Sequence, residues 1–241
     1  MYTPYYSHYY SSDAIYFILL IPVFALSLWA QFQVSRNFRR YSQVGNLRHM
    51  TGAQAAEAVL RANGVMGVAV CSVAGELTDH YDPRTNTIRL SQSVYSAPTI
   101  AAVGVAAHEA GHAVQYAVGY APVKLRMAIV PLTQLGSRAS MILLMLGLVL
   151  YFQPALLLGI VLFGLTTFFQ LVTLPVEFNA SRRAMAAIEG RNLLTQEEAV
   201  GAKRVLRAAA LTYVAALLMS MLQLLRYVLI FLSRGASRRN D

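Results

Sequence analysis

The amino-acid sequence predicts a mainly α-helical membrane protein, with four transmembrane helices and one small α+β domain. The chain has 241 residues, of which 56% are hydrophobic and only 13% are charged. This balance is too apolar for an ordinary soluble domain. Apolar runs long enough to cross a bilayer occur at residues 15–33, 129–152, 155–174 and 208–232. Between the first two runs the pattern changes to short helices and strands, which predicts the aqueous domain.

The first span follows a tyrosine-rich start and precedes three arginines. Residues 1–13 contain no basic residue, so they lack the positive start of a signal peptide, and we expect the span to be retained. The tyrosines are expected to act as anchors at the membrane surface. Arg36, Arg39 and Arg40 place the C-terminal end of the span in the cytoplasm. Residues 1–34 are therefore assigned to an N-terminal transmembrane segment.

Residues 35–126 are predicted to form the aqueous domain. Thr51 can cap a helix over residues 53–61, which the Asn63-Gly64 pair would end. Strands are predicted at residues 65–74 and 87–90. The later strand, taken as residues 86–91, either offers an exposed edge to an extended peptide or covers the core as an ordinary hairpin strand.

An H-E-x-x-H motif is formed by His108, Glu109 and His112 in an Ala-rich run that is predicted to be helical to about residue 118. Histidines four residues apart lie on one face of a helix and can bind one metal ion. Glu109 is rotated by about 100° from His108, so it can reach a water on the metal without being a ligand. Two imidazoles and an open fourth position suit Zn²⁺, so the domain is predicted to be zincin-like.

The apolar region at residues 127–175 is too long for one span. As one helix, the 48 residues 127–174 would be about 72 Å long, more than twice the hydrocarbon thickness. It must therefore fold back, and Phe152-Gln153-Pro154 marks the turn. Arg138 lies inside the first of the two spans. It either faces the bundle interior with a functional role or lies near the interface because a tilted helix emerges early.

Two crossings return the chain to the side of the motif, where Glu177 is the first carboxylate after Glu109. Glu177 either binds the metal or pairs with Arg182 or Arg183 at the membrane edge. Ser181, four residues later, would share its face and support the site.

Two further candidates for a supporting role, His80 and Tyr81, lie between the predicted strands. His80 is otherwise a loop histidine. The rest of the chain is predicted to comprise a helical segment at residues 176–207, the fourth span at 208–232 and a basic tail at 233–241.

The distribution of positive charge predicts a multi-pass protein of the plasma membrane. Fifteen of the twenty Lys and Arg residues lie in residues 35–126 and 176–207, which places the site in the cytoplasm. They do not form a single stripe with interleaved aromatic residues, so nucleic acid is not expected as a partner. Cys71 is the only cysteine, which excludes an intrachain disulfide.

Taken together, these segments resemble the YugP-like family of putative neutral zinc metallopeptidases, which are bacterial membrane proteins. The likeness runs from the tyrosine-rich start through residues 77–84, 106–115 and 175–184. More distantly, residues 177–181 are similar to the E-x-x-A-D segment of HtpX-type and CAAX-prenyl proteases. That resemblance implies that Glu177 is the third zinc ligand, and Ser181 stands where those proteases carry an aspartate.

The resemblance and the motif together imply a zinc metalloprotease of the gluzincin-like type. Zn²⁺ would be held by His108, His112 and Glu177, and Glu109 would be the general base. The expected partners are a peptide or membrane-protein substrate and the lipid bilayer, and the protease could act within a membrane-protein complex or as a homo-oligomer.

Two alternatives remain. An intramembrane site-2-type protease would place the helix of residues 100–118 in the bilayer, but that class uses an aspartate ligand and none occurs between Asp82 and Asp241. A non-catalytic scaffold or adaptor stabilised by zinc would not need Glu109.

Overall fold

A computed structural model describes the backbone of residues 5–237 and the side chains of residues 16–235. Two predictions concern side chains outside this range: the anchoring tyrosines before residue 16 and the end of the basic tail after residue 235. Within the described range the chain forms seven helices and three strands. In order, they are α1 (Tyr5–Ser42), α2 (Gly52–Ala62), β1 (Ala69–Val73), β2 (His80–Asp82), β3 (Thr87–Ser91), α3 (Gln92–Tyr95), α4 (Ile100–Ala117), α5 (Ala121–Val149), α6 (Gln153–Gly190) and α7 (Gln196–Ser237).

Helices α1, α5, α6 and α7 each contain a segment long and apolar enough to cross a membrane. The predicted class, a mainly α-helical membrane protein with a small α+β part, is therefore confirmed. Helices α6 and α7 have 38 and 42 residues, which corresponds to about 57 and 63 Å and exceeds the hydrocarbon thickness. Helix α6 continues through Pro175, so the segment that carries Glu177 extends the preceding span instead of starting a new helix.

The chain divides into two compact units. The first comprises the described residues within Met1–Trp29, Arg126–Val172 and Tyr213–Asp241, and the second comprises Ala30–Leu125 and Thr173–Thr212. In the first unit, α5 and α6 pack closely at two glycines. A Cβ on Gly147 would lie 2.5 Å from the Leu156 nitrogen, and one on Gly159 would lie 2.8 Å from the Leu144 nitrogen. The predicted turn near residue 152 is confirmed, because α5 ends at Val149 and α6 begins at Gln153.

The second unit contains a three-stranded sheet in the order β1-β3-β2. Strand β1 is parallel to β3, whereas β2 and β3 form the antiparallel hairpin. Residues 80–82, expected as a loop, are thus a strand. Parallel strands require a crossover connection between them. Here the connection from β1 to β3 contains β2, which pairs with the other side of β3. Because β3 is the central strand, both of its edges are paired and neither is exposed. The side chains of Ile88 and Leu90 in this strand are fully buried. The alternative of an exposed edge at residues 86–91 is therefore wrong.

Helices α2 and α4 bury the sheet. Thr51 and Gln54 form a reciprocal capping box at the start of α2, and the Thr99 hydroxyl accepts a hydrogen bond from the Ala102 nitrogen at the start of α4. Ala55, Val59 and other small residues of α2 join α4 in one hydrophobic core. Alanine is favourable in helices and lets neighbouring backbones approach, so α4 can lie at the centre of this unit.

Candidate metal centre

Helix α4 is buried on nearly every side and opens along one stripe. Apart from its last residue, its only partly exposed positions are 105, 108, 112 and 116. Their spacing of three or four residues places them on one face. His108 and His112 thus lie on the single open stripe of the helix. Glu109 is buried beside it, with 9% of its surface exposed.

The third predicted ligand reaches this stripe because α4 and α6 approach closely. A Cβ added to Gly111 would lie only 2.7 Å from the carbonyl oxygen of Ala180. Any residue other than glycine at position 111 would therefore hold the two helices apart. The close approach brings Glu177, one turn before Ala180, opposite the two histidines.

The three side chains form a compact cluster. Glu177 Oε2 lies 3.3 Å from His108 Nε2 and 3.6 Å from His112 Nε2. One ligand atom from each residue lies within 4.8 Å of the other two. Arg183, one of the two arginines considered as an alternative partner of Glu177, donates its Nε hydrogen to Asn179 Oδ1 at 2.8 Å.

The geometry of the cluster fits Zn²⁺. Zinc bonds of about 2.0–2.1 Å in a tetrahedron separate neighbouring ligand atoms by about 3.4 Å, close to the distances from Glu177 to each imidazole. Two imidazole nitrogens and one carboxylate oxygen are also a donor set that zinc accepts. These three residues could therefore hold one zinc ion and leave a fourth position open.

Electrostatics at His112 favour positive charge. Burial lowers the pKa of this imidazole, but the hydrogen bond with Glu177 and the negative charge of Glu109 outweigh it and leave the pKa above its usual value. The two carboxylates thus create a negative environment around the histidine pair.

Gln115 orients His112 through a buried network. Its side chain is completely buried, and its Nε2 donates to the carbonyl of Val176 at 2.8 Å and to Asn179 Oδ1 at 3.0 Å. A carbonyl only accepts hydrogen bonds, which assigns Oε1 to the side facing His112 Nδ1, 3.0 Å away. Nδ1 therefore carries a proton, so a neutral His112 has its lone pair on Nε2, the nitrogen beside Glu177 that could bind a metal ion.

His108 is held on the same principle by Ser181. The Ser181 hydroxyl lies 3.1 Å from His108 Nδ1, so the Nε2 atom is the one that faces Glu177. The structure therefore brings Ser181 to the position expected for a supporting residue. Serine is uncharged and makes a weaker hydrogen-bond acceptor than an aspartate would at this position.

Glu109 contacts strand β2 through the backbone of Tyr81. The Tyr81 N–H donates to Glu109 Oε2 at 3.1 Å, whereas the Tyr81 hydroxyl donates to Asn86. The backbone of Tyr81, and not its phenol, is thus the part that reaches the candidate site. Its ring packs edge-on against Tyr116 of the open stripe, with centroids 5.3 Å apart.

His80 is exposed and does not belong to the cluster of candidate ligands. Its Nδ1 lies 2.7 Å from the carbonyl of Thr78. A supporting role for His80 stays a prediction. Sequence reasoning missed Gln115 and Asn179, although a glutamine three residues after His112 in an apolar helix was a detectable signal.

Comparison with known proteins gives two matches over most of the chain. Residues 16–232 match the model of a family described as putative neutral zinc metallopeptidases. The chain is also 45% identical over 219 residues to the putative membrane protease YugP of Bacillus subtilis (strain 168). That alignment covers 91% of this chain and 97% of the relative. No solved structure matches the chain.

Proposed function

The chain belongs to the family of putative neutral zinc metallopeptidases, and on that premise we propose that it is a membrane-embedded zinc metalloprotease of the gluzincin-like type. His108, His112 and Glu177 are the proposed zinc ligands, and Glu109 is the proposed general base. The observation that carries the proposal is the convergence of the three ligand atoms within 4.8 Å, although α5 and the first part of α6 separate Glu177 from the motif.

Zn²⁺ at this cluster would acidify a water and polarise the carbonyl of the scissile bond. Glu109 has one carboxylate oxygen held by the Tyr81 N–H, while its Oε1 accepts no hydrogen bond from any residue that the structure describes. That oxygen can take a proton from the attacking water and pass it to the departing amine. Gln115 keeps His112 in the tautomer that ligation requires, and Ser181 holds the orientation of the His108 ring.

Strand β2 is the proposed place for the substrate backbone. One side of β2 pairs with β3, and its other side has no partner strand in the described sheet. Tyr81 lies on this strand, and its N–H already reaches Glu109. A peptide or an extended segment of a membrane protein that added to β2 would therefore pass the proposed base.

The proposed location is the plasma membrane, with the site on the cytoplasmic side. Four helices are long and apolar enough to cross a membrane. The concentration of fifteen of the twenty basic residues in the segments flanking the site supports the cytoplasmic orientation.

Observations on α4, Glu177 and Glu109 argue against the alternative functions. Helix α4 is not among the candidate spans of the described chain, and its surface packs into a core that includes α2 and β3, unlike a helix in lipid. Glu177 supplies a glutamate where a site-2-type protease uses an aspartate. A non-catalytic scaffold has no need of a buried Glu109 beside the cluster.

The test is Glu109→Gln in purified protein in detergent, with fluorescein-labelled casein and a mixed peptide library as probes. We expect one zinc per chain with unchanged affinity, but cleavage slower by about 10²–10⁴-fold, because the general base is lost. Glu189→Gln is the matched control, since Glu189 is exposed.

Equal cleavage by the Glu109→Gln and Glu189→Gln variants would exclude Glu109 as the base. Zinc binding by the wild-type protein without cleavage of any probe would favour the scaffold.

A further inference from the structure

Arg138 of α5 is a charged residue that the proposed protease chemistry does not use. Its side chain is exposed, and the exposed apolar side chains of Leu135, Met141 and Ile142 surround it along the helix. Among the residues that the structure describes, none forms a hydrogen bond, ion pair or ring contact with it. The guanidinium therefore projects from an apolar face that the described part of the chain leaves uncovered.

The position of Arg138 along α5 places it near the middle of the membrane. Arg234 donates hydrogen bonds to the carbonyls of Gly147 and Leu148. This contact indicates that the membrane interface lies at the C-terminal end of α5. Gly147 lies nine residues from Arg138, or about 14 Å along the helix, and Arg126 lies twelve residues away in the other direction, or about 18 Å. These distances together match a hydrocarbon layer of about 30 Å. Each exceeds the length of an extended arginine side chain, so snorkelling alone does not bring the charge into water.

Other arginines of the same unit have partners. The guanidinium of Arg226 lies 4.4 Å from the ring centroid of Tyr16. Arg234 has its carbonyl acceptors and also lies over Tyr151 at 4.5 Å. Arg138 thus differs from them in having a mid-membrane charge without a partner in the described chain. A charge in this position is costly unless something pairs with it.

A second copy of the chain does not offer the missing charge. The four apolar runs at residues 15–33, 129–152, 155–174 and 208–232 contain no Asp or Glu. We propose that the face of α5 around Arg138 binds a transmembrane helix of another membrane protein, and that an Asp or Glu of this helix pairs with the guanidinium. The proposal rests on α5 alone and does not require proteolysis.

The test measures association with synthetic helices in zwitterionic vesicles. The protein is labelled with a donor dye at Cys71, its only cysteine, which is exposed. The acceptor is a 24-residue Leu-Ala helix that carries one central Asp, and a matched peptide carries Asn. We expect energy transfer to require at least tenfold less of the Asp peptide than of the Asn peptide.

The variants identify the residue responsible. In Arg138→Gln, the Asp peptide should associate only as strongly as the Asn peptide. Arg138→Lys should retain most of the difference in association between the two peptides. Arg226→Gln is the matched control, because its charge already has a partner, and it should behave like the wild type. Circular dichroism checks that each variant is folded.

Three results would overturn the proposal. The first is equal association of the Asp and Asn peptides with the wild-type protein. The second is transfer between donor-labelled and acceptor-labelled copies of the chain that Arg138→Gln abolishes, since the occupant would then be a second copy. The third is phosphatidylglycerol that co-purifies with the wild-type protein but not with Arg138→Gln, while peptide association is unchanged, since the guanidinium would then bind lipid phosphate.

Discussion

Gly111 controls how closely α4 and α6 approach, so Gly111→Ala tests the geometry of the candidate metal centre. The added Cβ would lie 2.7 Å from the Ala180 carbonyl oxygen, whereas ordinary contacts begin at 3.4 Å. The backbones must therefore separate by roughly 0.7 Å. A carbonyl in a helix cannot rotate away as a flexible side chain can.

This displacement is large on the scale of metal coordination. Zinc sites tolerate deviations of about 0.2 Å in ligand distance, and Glu177 lies on the same helix as Ala180, one turn away. We expect zinc affinity to fall at least tenfold. Overpacking should also cost about 1–3 kcal/mol of stability, partly offset by the better helix propensity of alanine.

Gly104→Ala on the same helix is the matched control. Its Cβ would meet the Cβ of Ala202 at 3.3 Å, a side-chain contact that a small shift relieves. Both variants should be titrated with zinc against a chelator in detergent and followed by thermal unfolding. If Gly111→Ala bound zinc as tightly as Gly104→Ala and melted no lower, the close approach would not control the site.

Two further predictions concern side chains around the site. Gln115→Leu keeps the buried volume but removes the hydrogen-bond acceptor for His112 Nδ1. Zinc affinity should therefore fall about 10- to 100-fold, and the ¹⁵N spectrum of the metal-free protein should show a mixture of His112 tautomers. Unchanged zinc affinity and a single tautomer would exclude the orienting role of Gln115. The hydrogen bond from Arg89, with that from the Arg84 N–H, lowers the pKa of Asp82 to about 2. The ionised Asp82 carboxylate therefore stabilises the folded state. This contribution is fully present above about pH 4, near the pKa of Asp82 in the unfolded chain, and is lost as the pH falls through 2. The melting temperature of the wild type should therefore fall more steeply between pH 4 and pH 2 than that of Asp82→Asn, and parallel curves would contradict the prediction.

The sequence was sufficient for elements that depend on local patterns. Four apolar runs, the Thr51 cap and the turn near residue 152 follow from composition, hydrogen-bonding side chains and helix-breaking residues. The candidate ligands His108 and His112 follow from helical spacing. Glu177 followed from the parity of membrane crossings and from a family resemblance.

Elements that depend on distant contacts could not be predicted in this way. The parallel pairing of β1 with β3 is set by the crossover, which leaves no local signal, and the short strand β2 looks like a polar loop. Tyr81 was a candidate for a supporting role, and the pairing of β2 with β3 orients its backbone N–H, not its phenol, toward Glu109. Gln115 acquires its role only when Val176 comes within hydrogen-bond distance.

X-ray absorption at the zinc edge tests the central claim most directly, because it reports the ligand set of the loaded protein. The wild type should show two imidazole nitrogens at about 2.0–2.1 Å and two oxygens, one of them from a carboxylate. Glu177→Ala should lose the carboxylate oxygen while keeping both imidazoles. An identical spectrum for Glu177→Ala, or a wild-type spectrum with fewer than two imidazoles, would contradict the convergence of these three residues on one zinc ion.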